Sequence, residues 1–179
     1  MNSRLKVLCG NEVSEEVFSQ MLKLDKNIFS GEYSLSSKYI RNLYKKSKEG
    51  LFCLIDKEKC VGYINCIFIT NEQKQKYIGS GDFRKLNNIG PKVGNNILYI
   101  YTIALEKRYR GTNALVMLLN SFYNWLLENK NLGINIKYLF AEAVSDSGVK
   151  VLKKMGMVPV NKHKLDNSCH GFYYLPENL

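Results

Sequence analysis

The residues best suited to chemistry lie in a short basic turn, Glu106-Lys107-Arg108-Tyr109-Arg110-Gly111-Thr112. An apolar run at 97–105 precedes this turn, and its β-branched and aromatic residues are typical of a buried strand. Apolar residues then recur at three- and four-residue steps over 113–129, which predicts an amphipathic helix. The first backbone N–H groups of such a helix lack partners within it and attract anions, and Arg108 and Arg110 add positive charge. The pattern therefore predicts a phosphate-binding strand–turn–helix.

Two simpler interpretations fit the same stretch. Many α/β proteins join a strand to a helix through a turn that binds no ligand. Basic residues in such a turn are commonly just solvated. The local pattern alone does not choose between these interpretations and phosphate binding.

The length and composition indicate one folded globular domain spanning residues 1–179. Hydrophobic residues make up 45% of the chain and charged residues 23%, which is typical of a folded protein. The formal net charge of +10 favours polyanionic or acidic partners but says nothing about the fold. No nucleic-acid-binding module is recognisable, so the sequence does not favour nucleic acid as a partner. A modest basic cluster is better explained as a solvated helix face; it comprises Lys38, Arg41, Lys45, Lys46 and Lys48.

The cysteines and the apolar runs bear on the compartment. Five cysteines occur without a Cys-x-x-Cys pair, and most stand in apolar runs, so we expect reduced, buried thiols in a cytoplasmic protein. The apolar run at 5–9 is too short for a signal peptide. No run approaches the roughly 20 apolar residues of a membrane span, so no membrane partner is expected.

The remaining elements alternate between strands and helices. Serine and asparagine side chains are good helix caps, so helices are expected to start at Asn11 or Ser14, at Ser36 or Ser37, and within 145–148. Gly50 and Gly156 are expected to end the second and last of these helices. Strands are predicted at 5–8, 51–55, 60–70, 136–144, 158–163 and 171–175.

Two features interrupt this regular pattern. Gly62 and Asn65 stand inside a predicted strand of the 51–70 hairpin and suggest a bulge or a close backbone approach. Residues 71–96 are polar and Gly-rich and predict a long loop, with short helical pieces around 82–87. The order of elements predicts an α/β (α+β) fold, with a mixed sheet and helices on its faces.

Two segments carry a family resemblance. One comprises Ile103-Ala104-Leu105 and continues through Tyr109-Arg110-Gly111-Thr112-Asn113-Ala114-Leu115, followed by Leu118-Leu119. It resembles the cofactor motif of the GNAT superfamily of acyl-CoA-dependent N-acyltransferases, in which Arg or Gln starts a Gly-rich turn into a helix. The other, from Ser145-Asp146-Ser147-Gly148 to Met155-Gly156-Met157, is similar to that family's strand–helix segment. The resemblance implies a single GNAT-like domain with a mostly antiparallel twisted sheet and splayed central strands.

The resemblance also implies roles for individual residues, with acetyl-CoA as co-substrate and no metal. The backbone of Ile103, Ala104 and Leu105 would pair with the pantetheine arm, while an N–H group near Ile103 would polarise the thioester carbonyl. Ser145 falls where the family often has an Asn beside that arm. The pyrophosphate would be held by Arg110 and the N–H groups of Gly111, Thr112, Asn113, Ala114 and Leu115.

Four positions depart from the family pattern. Asn113 replaces a Gly, although Asn tolerates left-handed backbone better than most residues. Leu115 replaces a Gly or Ala where close approach is wanted. Leu152 replaces a Tyr that protonates the departing thiolate. A Glu on the central strand is replaced by Tyr99, with Tyr101 on the same face.

The candidates for proton transfer are Glu142, at the end of the neighbouring strand, and Tyr101. Tyr173 and Tyr174 are further candidates. The structural alternative is that Glu142 is solvent-exposed and the tyrosines pack in the core. Glu106 fits a turn residue better than a base. Three residues near the end of the chain lack both a fourth ligand and a known spacing for zinc: His163, Cys169 and His170.

The basic turn and the family resemblance together imply an N-acetyltransferase that moves an acetyl or other short acyl group from acetyl-CoA to a primary amine. The acceptor is a small molecule or a protein amine, and a homodimer is compatible with the sequence. The loop at 71–96 is expected to shape the acceptor site. The departures favour an alternative, a catalytically degenerate module that binds a CoA ester or an acidic partner.

Overall fold

The computed structural model describes residues 5–29, 36–45, 47–80, 82, 86–160 and 171–175. Within these residues, seven strands form one mixed sheet. The strands are β1 (Leu5–Cys9), β2 (Leu51–Asp56), β3 (Lys59–Ile69), β4 (Gly94–Leu105), β5 (Ile134–Ala143), β6 (Val158–Pro159) and β7 (Gly171–Tyr174). Their order is β1-β2-β3-β4-β5-β7-β6, and β4 and β5 are parallel while the other neighbours are antiparallel. The predicted mostly antiparallel mixed sheet is confirmed.

Helices cover both faces of this sheet. They are α1 (Glu15–Ile28), α2 (Ser37–Leu43), α3 (Asn71–Ser80), α4 (Ala114–Asn131) and α5 (Asp146–Lys154). Side chains of α1, α2 and α3 form one buried apolar cluster against the sheet. Side chains of α4 and α5 form a second cluster on the opposite face. Among the described residues, no helix is long and apolar enough to cross a bilayer.

Serine side chains set the starts of three helices, as the sequence predicted. Ser14 Oγ accepts a hydrogen bond from Val17 N–H at 3.3 Å and Ser36 Oγ one from Tyr39 N–H at 3.2 Å. Ser145 Oγ accepts one from the N–H of Gly148 at 3.1 Å. Each bond satisfies an N–H group that the helix itself leaves free.

The structure corrects two of the predicted boundaries. The second helix ends at Leu43, well before Gly50, which instead leads into β2. The predicted long loop at 71–96 begins with helix α3, which starts after a reciprocal pair of bonds between Thr70 and Gln73. The helical pieces predicted around 82–87 and most of the strand predicted at 158–163 lie outside the described residues.

The central strands β4 and β5 separate along their length. Their parallel pairing runs from Gly94–Ile134 to Ile100–Ala141. Beyond that point β4 continues to Leu105 paired with β3, while β5 pairs with β7. Tyr101 forms a β-bulge in β4, because Asn65 of β3 faces Thr102 and the next residue, Cys66, faces Ile100. The result is the predicted splay, a gap whose edges are β4 and β5.

Gly50 offers a direct test of the packing that holds β2 against β3. A Cβ atom on Gly50 would lie 2.2 Å from the carbonyl oxygen of Cys66, far inside contact distance. We expect Gly50→Ala to lower the free energy of unfolding by about 3 kcal/mol or more, because backbone atoms cannot move aside cheaply. Urea unfolding followed by circular dichroism measures the loss.

Gly79→Ala is the matched control for this prediction. Nothing lies within 4 Å of a Cβ atom on Gly79, which stands inside α3. This substitution should be neutral or stabilise the protein by up to about 1 kcal/mol, because alanine favours helix. A Gly50→Ala protein as stable as wild type would show that β2 and β3 are not packed this closely.

Candidate active site

The basic turn after β4 begins the site. A short 3-10 turn spans Lys107–Tyr109, and Gly111 follows with φ of +79°, a left-handed conformation that glycine adopts without strain. Asn113 has φ of −73° and ψ of −1°, so it is right-handed and α4 starts directly after it. The left-handed backbone that we considered for Asn113 is therefore not needed there.

Backbone N–H groups collect at this turn, as predicted, but not all of those predicted are free. Thr112 N–H donates to the carbonyl oxygen of Tyr109 at 3.3 Å, and Ala114 N–H donates to Thr112 Oγ1 at 3.2 Å. Four neighbouring N–H groups have no acceptor among the described residues: those of Gly111, Asn113, Leu115 and Val116. The N–H groups predicted from the sequence to bind an anion ended at Leu115, so Val116 was not among them.

The two arginines of the turn differ in their partners. Arg108 Nε donates to Glu106 Oε2 at 3.0 Å, and its guanidinium lies 4.7 Å from the ring centre of Tyr109. Arg110 is exposed, and its Nε donates to the carbonyl oxygen of Leu105 at 3.2 Å. No carboxylate in the described part of the chain forms an ion pair with Arg110. Arg110 is thus the arginine available to an anion at the helix start.

The turn is tied to the neighbouring hairpin through one side chain. Tyr109 is 8% exposed, and its hydroxyl donates to Asp56 Oδ2 at 2.5 Å. Asp56 ends strand β2, so this bond connects the turn to a strand two places away in the sheet. The position of the free N–H groups is therefore fixed by the core and not by the turn alone.

Next to the turn, no described strand pairs with the edge of β4 that faces β5. The N–H of Glu106 donates to the carbonyl oxygen of Val61 in β3 at 2.8 Å. Backbone groups alternate in direction along a strand, so those of Ala104 face β3 as well, while those of Ile103 and Leu105 face the gap. The bond from Arg110 to the Leu105 oxygen agrees with this direction.

On the face of the sheet that carries α1, α2 and α3, three polar side chains meet at the gap. The hydroxyl of Tyr77, from α3, lies 2.5 Å from Glu142 Oε2 and 3.0 Å from the hydroxyl of Tyr99. Glu142 stands on β5 just past the last residue paired with β4. Burial raises the pKa of Tyr77 and of Tyr99 above the usual tyrosine range. Both phenols therefore stay protonated and act as hydrogen-bond donors.

Tyr101 lies beside this group. Its ring packs edge-on against that of Tyr99, with centroids 5.7 Å apart. Its hydroxyl is buried and has no hydrogen-bond partner among the described residues. Burial raises the pKa of Tyr101 far above its usual range, so the hydroxyl keeps its proton. An unpaired buried hydroxyl is uncommon, and a bound water or a ligand group can supply the missing partner.

Sequence reasoning missed a buried carboxylate on the same face. Asp25 of α1 is buried and accepts a hydrogen bond from the hydroxyl of Tyr63. Burial raises the pKa of Asp25, although the bond from Tyr63 opposes that shift. The available signal was an aspartate at an apolar position of an amphipathic helix, which is unusual unless a partner exists.

The remaining candidate residues lie elsewhere. Leu152 is 4% exposed in the apolar cluster beneath α5, so no proton donor stands at its position. Tyr173 is fully buried in that same cluster, on the far face from Glu142, and Tyr174 is half-exposed. Ser145 is exposed, and its hydroxyl oxygen caps α5.

Among the residues that the structure describes, no three His, Cys, Asp or Glu side chains are grouped to hold a metal ion. The three residues weighed for zinc, His163, Cys169 and His170, lie outside the described residues.

Comparison with known proteins adds to this geometry. No protein-family model and no curated protein sequence matches the chain. Among solved structures, Naa50 of Arabidopsis thaliana with the bisubstrate analogue CoA-Ac-MVNAL is 16% identical, covers 95% of each chain and has a TM-score of 0.62. A chain of the NatC complex bound to Gag peptide and CoA is 16% identical over 97% of this chain and 99% of that one, with a TM-score of 0.65. NAA60 of Arabidopsis thaliana with acetyl-CoA is 11% identical over 95% and 96%, with a TM-score of 0.62. The sheet, its splay and these likenesses together show that the chain has the fold of the GNAT N-acetyltransferases.

Proposed function

We propose that the protein is an N-acetyltransferase that moves an acetyl or other short acyl group from acetyl-CoA to a primary amine. The proposal is supported by one observation: the gap between β4 and β5 is continuous with the basic turn that follows β4. The edge of β4 at Ile103 and Leu105 leads directly to four N–H groups and to Arg110. Within the described part of the chain, these N–H groups have no acceptor and Arg110 has no acidic partner. A thioester on a long arm that ends in a pyrophosphate fits such a groove. The similar structures that contain CoA or acetyl-CoA support the same ligand.

The proposed binding set is close to the one that the resemblance implied. Arg110 and the N–H groups of Gly111, Asn113 and Leu115 would bind the pyrophosphate, with Val116 as an addition. Thr112 and Ala114 would act by shaping the turn, because their own N–H groups are already bonded. The backbone of residues 103–105 would bind the pantetheine arm. Ser145 would lie near that arm while capping α5.

The chemistry would use the splay point. The amine nitrogen forms a bond to the thioester carbon, the C–S bond breaks, one proton leaves the nitrogen and one arrives at the sulfur. The N–H of Ile103 would stabilise the negative charge that develops on the carbonyl oxygen. We assign removal of the amine proton to Glu142 and protonation of the sulfur to Tyr101, since Leu152 cannot supply a proton.

The experiment that tests the proposal has two measurements. Titration calorimetry with acetyl-CoA should show saturable binding to one site per chain. Thiol release from acetyl-CoA should then rise with at least one member of an amine panel. The panel includes peptide N-termini, lysine side chains, amino acids and polyamines, because the similar structures with CoA-Ac-MVNAL and Gag peptide make peptides the first choice. Failure to bind acetyl-CoA would defeat the proposal.

A second function, a catalytically degenerate module that binds a CoA ester, is favoured by one observation. Leu152 is buried in the core, so the position of the usual sulfur-protonating tyrosine carries no ionisable group. This alternative predicts normal acetyl-CoA binding without thiol release over the whole panel.

Three wider proposals accompany the first. We propose that residues 1–179 act as one domain, in the cytoplasm and as a homodimer. The four described cysteines are unpaired, and three of them are buried, which suits a reducing compartment.

A further inference from the structure

Helix α3 lies in the connection between β3 and β4, which are adjacent antiparallel strands, and one of its side chains is buried. Of its ten residues only Tyr77 is buried, at 1% exposure. The ring of Tyr77 packs edge-on against Tyr99 at 5.3 Å and against Phe172 of β7 at 5.1 Å. A polar helix is thus placed so that its single buried ring reaches the gap between β4 and β5.

The direction of the hydrogen bonds around Tyr77 follows from chemistry. An ionised carboxylate only accepts, so the hydroxyl of Tyr77 donates to Glu142 Oε2 at 2.5 Å. The hydroxyl of Tyr77 has one proton, so in its 3.0 Å contact with Tyr99 the proton belongs to Tyr99. Tyr99 thus donates to Tyr77 and Tyr77 donates to Glu142, and each hydrogen bond polarises the next.

The bond from Tyr77 holds one oxygen of the Glu142 carboxylate at the gap. A glutamate loses considerable rotamer freedom when it is fixed, and a proton acceptor must stand within hydrogen-bond reach of the amine. We infer that Tyr77 is a positioning residue, which fixes the Glu142 carboxylate at the end of the gap for removal of the amine proton. The inference rests on the proposed function. It assigns α3 the role of completing the acceptor side of the site.

The first test is Tyr77→Phe, which keeps the ring and removes only the hydroxyl. We expect kcat to fall by about 10- to 100-fold, because a misplaced base loses much of its contribution. The KM for acetyl-CoA should stay within about twofold, because the proposed CoA groups lie on another element. Tyr44→Phe is the matched control: it removes a hydroxyl on the same face, one that donates to the Cys66 oxygen at 3.4 Å. It should leave kcat unchanged.

The second test separates positioning from a general loss of structure. Glu142→Gln alone should lower kcat, and adding Tyr77→Phe should lower it no further if Tyr77 acts through Glu142. Losses that multiply in the double variant would overturn the inference and leave the proposed function intact. An enzyme that releases no thiol with any amine would overturn both.

A further variant keeps the test decisive if Tyr77→Phe does not fold. Tyr99→Phe removes the donor to Tyr77 and leaves the bond between Tyr77 and Glu142 in place. We expect kcat to fall by about two- to fivefold, since one bond of a cooperative chain is lost. This loss should vanish in the Glu142→Gln background. An unchanged kcat in Tyr99→Phe would count against the inference.

Discussion

Replacement of Arg110 by glutamate is expected to weaken acetyl-CoA binding by about 100-fold or more. A charge-assisted hydrogen bond to phosphate contributes about 1.5–3 kcal/mol, and the new carboxylate would also repel the pyrophosphate. Each 1.4 kcal/mol corresponds to a tenfold change in the dissociation constant. The fold should be unaffected, because Arg110 is exposed and its side chain makes one hydrogen bond among the described residues, to the Leu105 oxygen at 3.2 Å. Calorimetric titration of acetyl-CoA measures the change.

Arg108→Glu is the matched control, since it makes the same change of charge two residues away. Arg108 is already paired with Glu106 at 3.0 Å, so it should contribute little to the ligand. We expect this variant to weaken binding by less than about tenfold, through loss of general positive charge. Equal losses in both variants would mean that net charge alone attracts the ligand. Unchanged binding in Arg110→Glu would place the pyrophosphate elsewhere.

The contrast between these arginines shows what sequence could and could not resolve. The turn itself was predictable, because its strand, its basic residues and its helix are contiguous. Which arginine is free depends on Glu106, which the sequence suggested only as a turn residue. The bond between Tyr109 and Asp56 joins residues 53 positions apart, and no local pattern indicates it.

Helix starts were predicted well because their cause is local. Ser14, Ser36 and Ser145 each accept a hydrogen bond from a residue three positions later, so the signal lies within a few residues. Helix α3 was missed because the same reasoning also needs an apolar stripe, and α3 has one buried side chain. The pair formed by Thr70 and Gln73 was present in the sequence and is the signal that could have identified its start.

The candidate acceptor side could be predicted only in part. The sequence suggested Glu142 as a candidate from its place at the end of a strand, and Tyr101 from its place on β4. Their connection runs through Tyr99 and Tyr77, and the bond from Tyr77 to Glu142 spans 65 positions in the chain. The pairing of Asp25 with Tyr63 spans 38 positions. Such contacts depend on the strand order and on which face each helix covers, and local patterns in a single sequence reveal neither.

Ile103→Pro should lower kcat/KM by at least about 100-fold, because loss of one donor to a developing oxyanion has an effect of that size. Proline lacks the N–H group that we assign to the thioester carbonyl. The fold should survive, since this N–H faces the gap and takes no part in the pairing of β4 with β3. Thiol release with the best amine of the panel measures the loss, and circular dichroism checks the fold.

Ala104→Pro is the control that tests the direction of the backbone. Ala104 lies opposite Tyr63, and its N–H faces β3, so proline there removes a bond from the sheet and should lower stability by about 3 kcal/mol. If both variants unfold alike, the backbone of Ile103 takes part in the sheet. Its N–H and C=O groups would then not be available to bind the pantetheine arm. If Ile103→Pro folds and keeps full activity, the thioester carbonyl is polarised by another group. We expect the Ile103→Pro variant to be folded and inactive and the Ala104→Pro variant to be unfolded. This result would show that one edge of β4 pairs with β3 while the other edge binds the substrate.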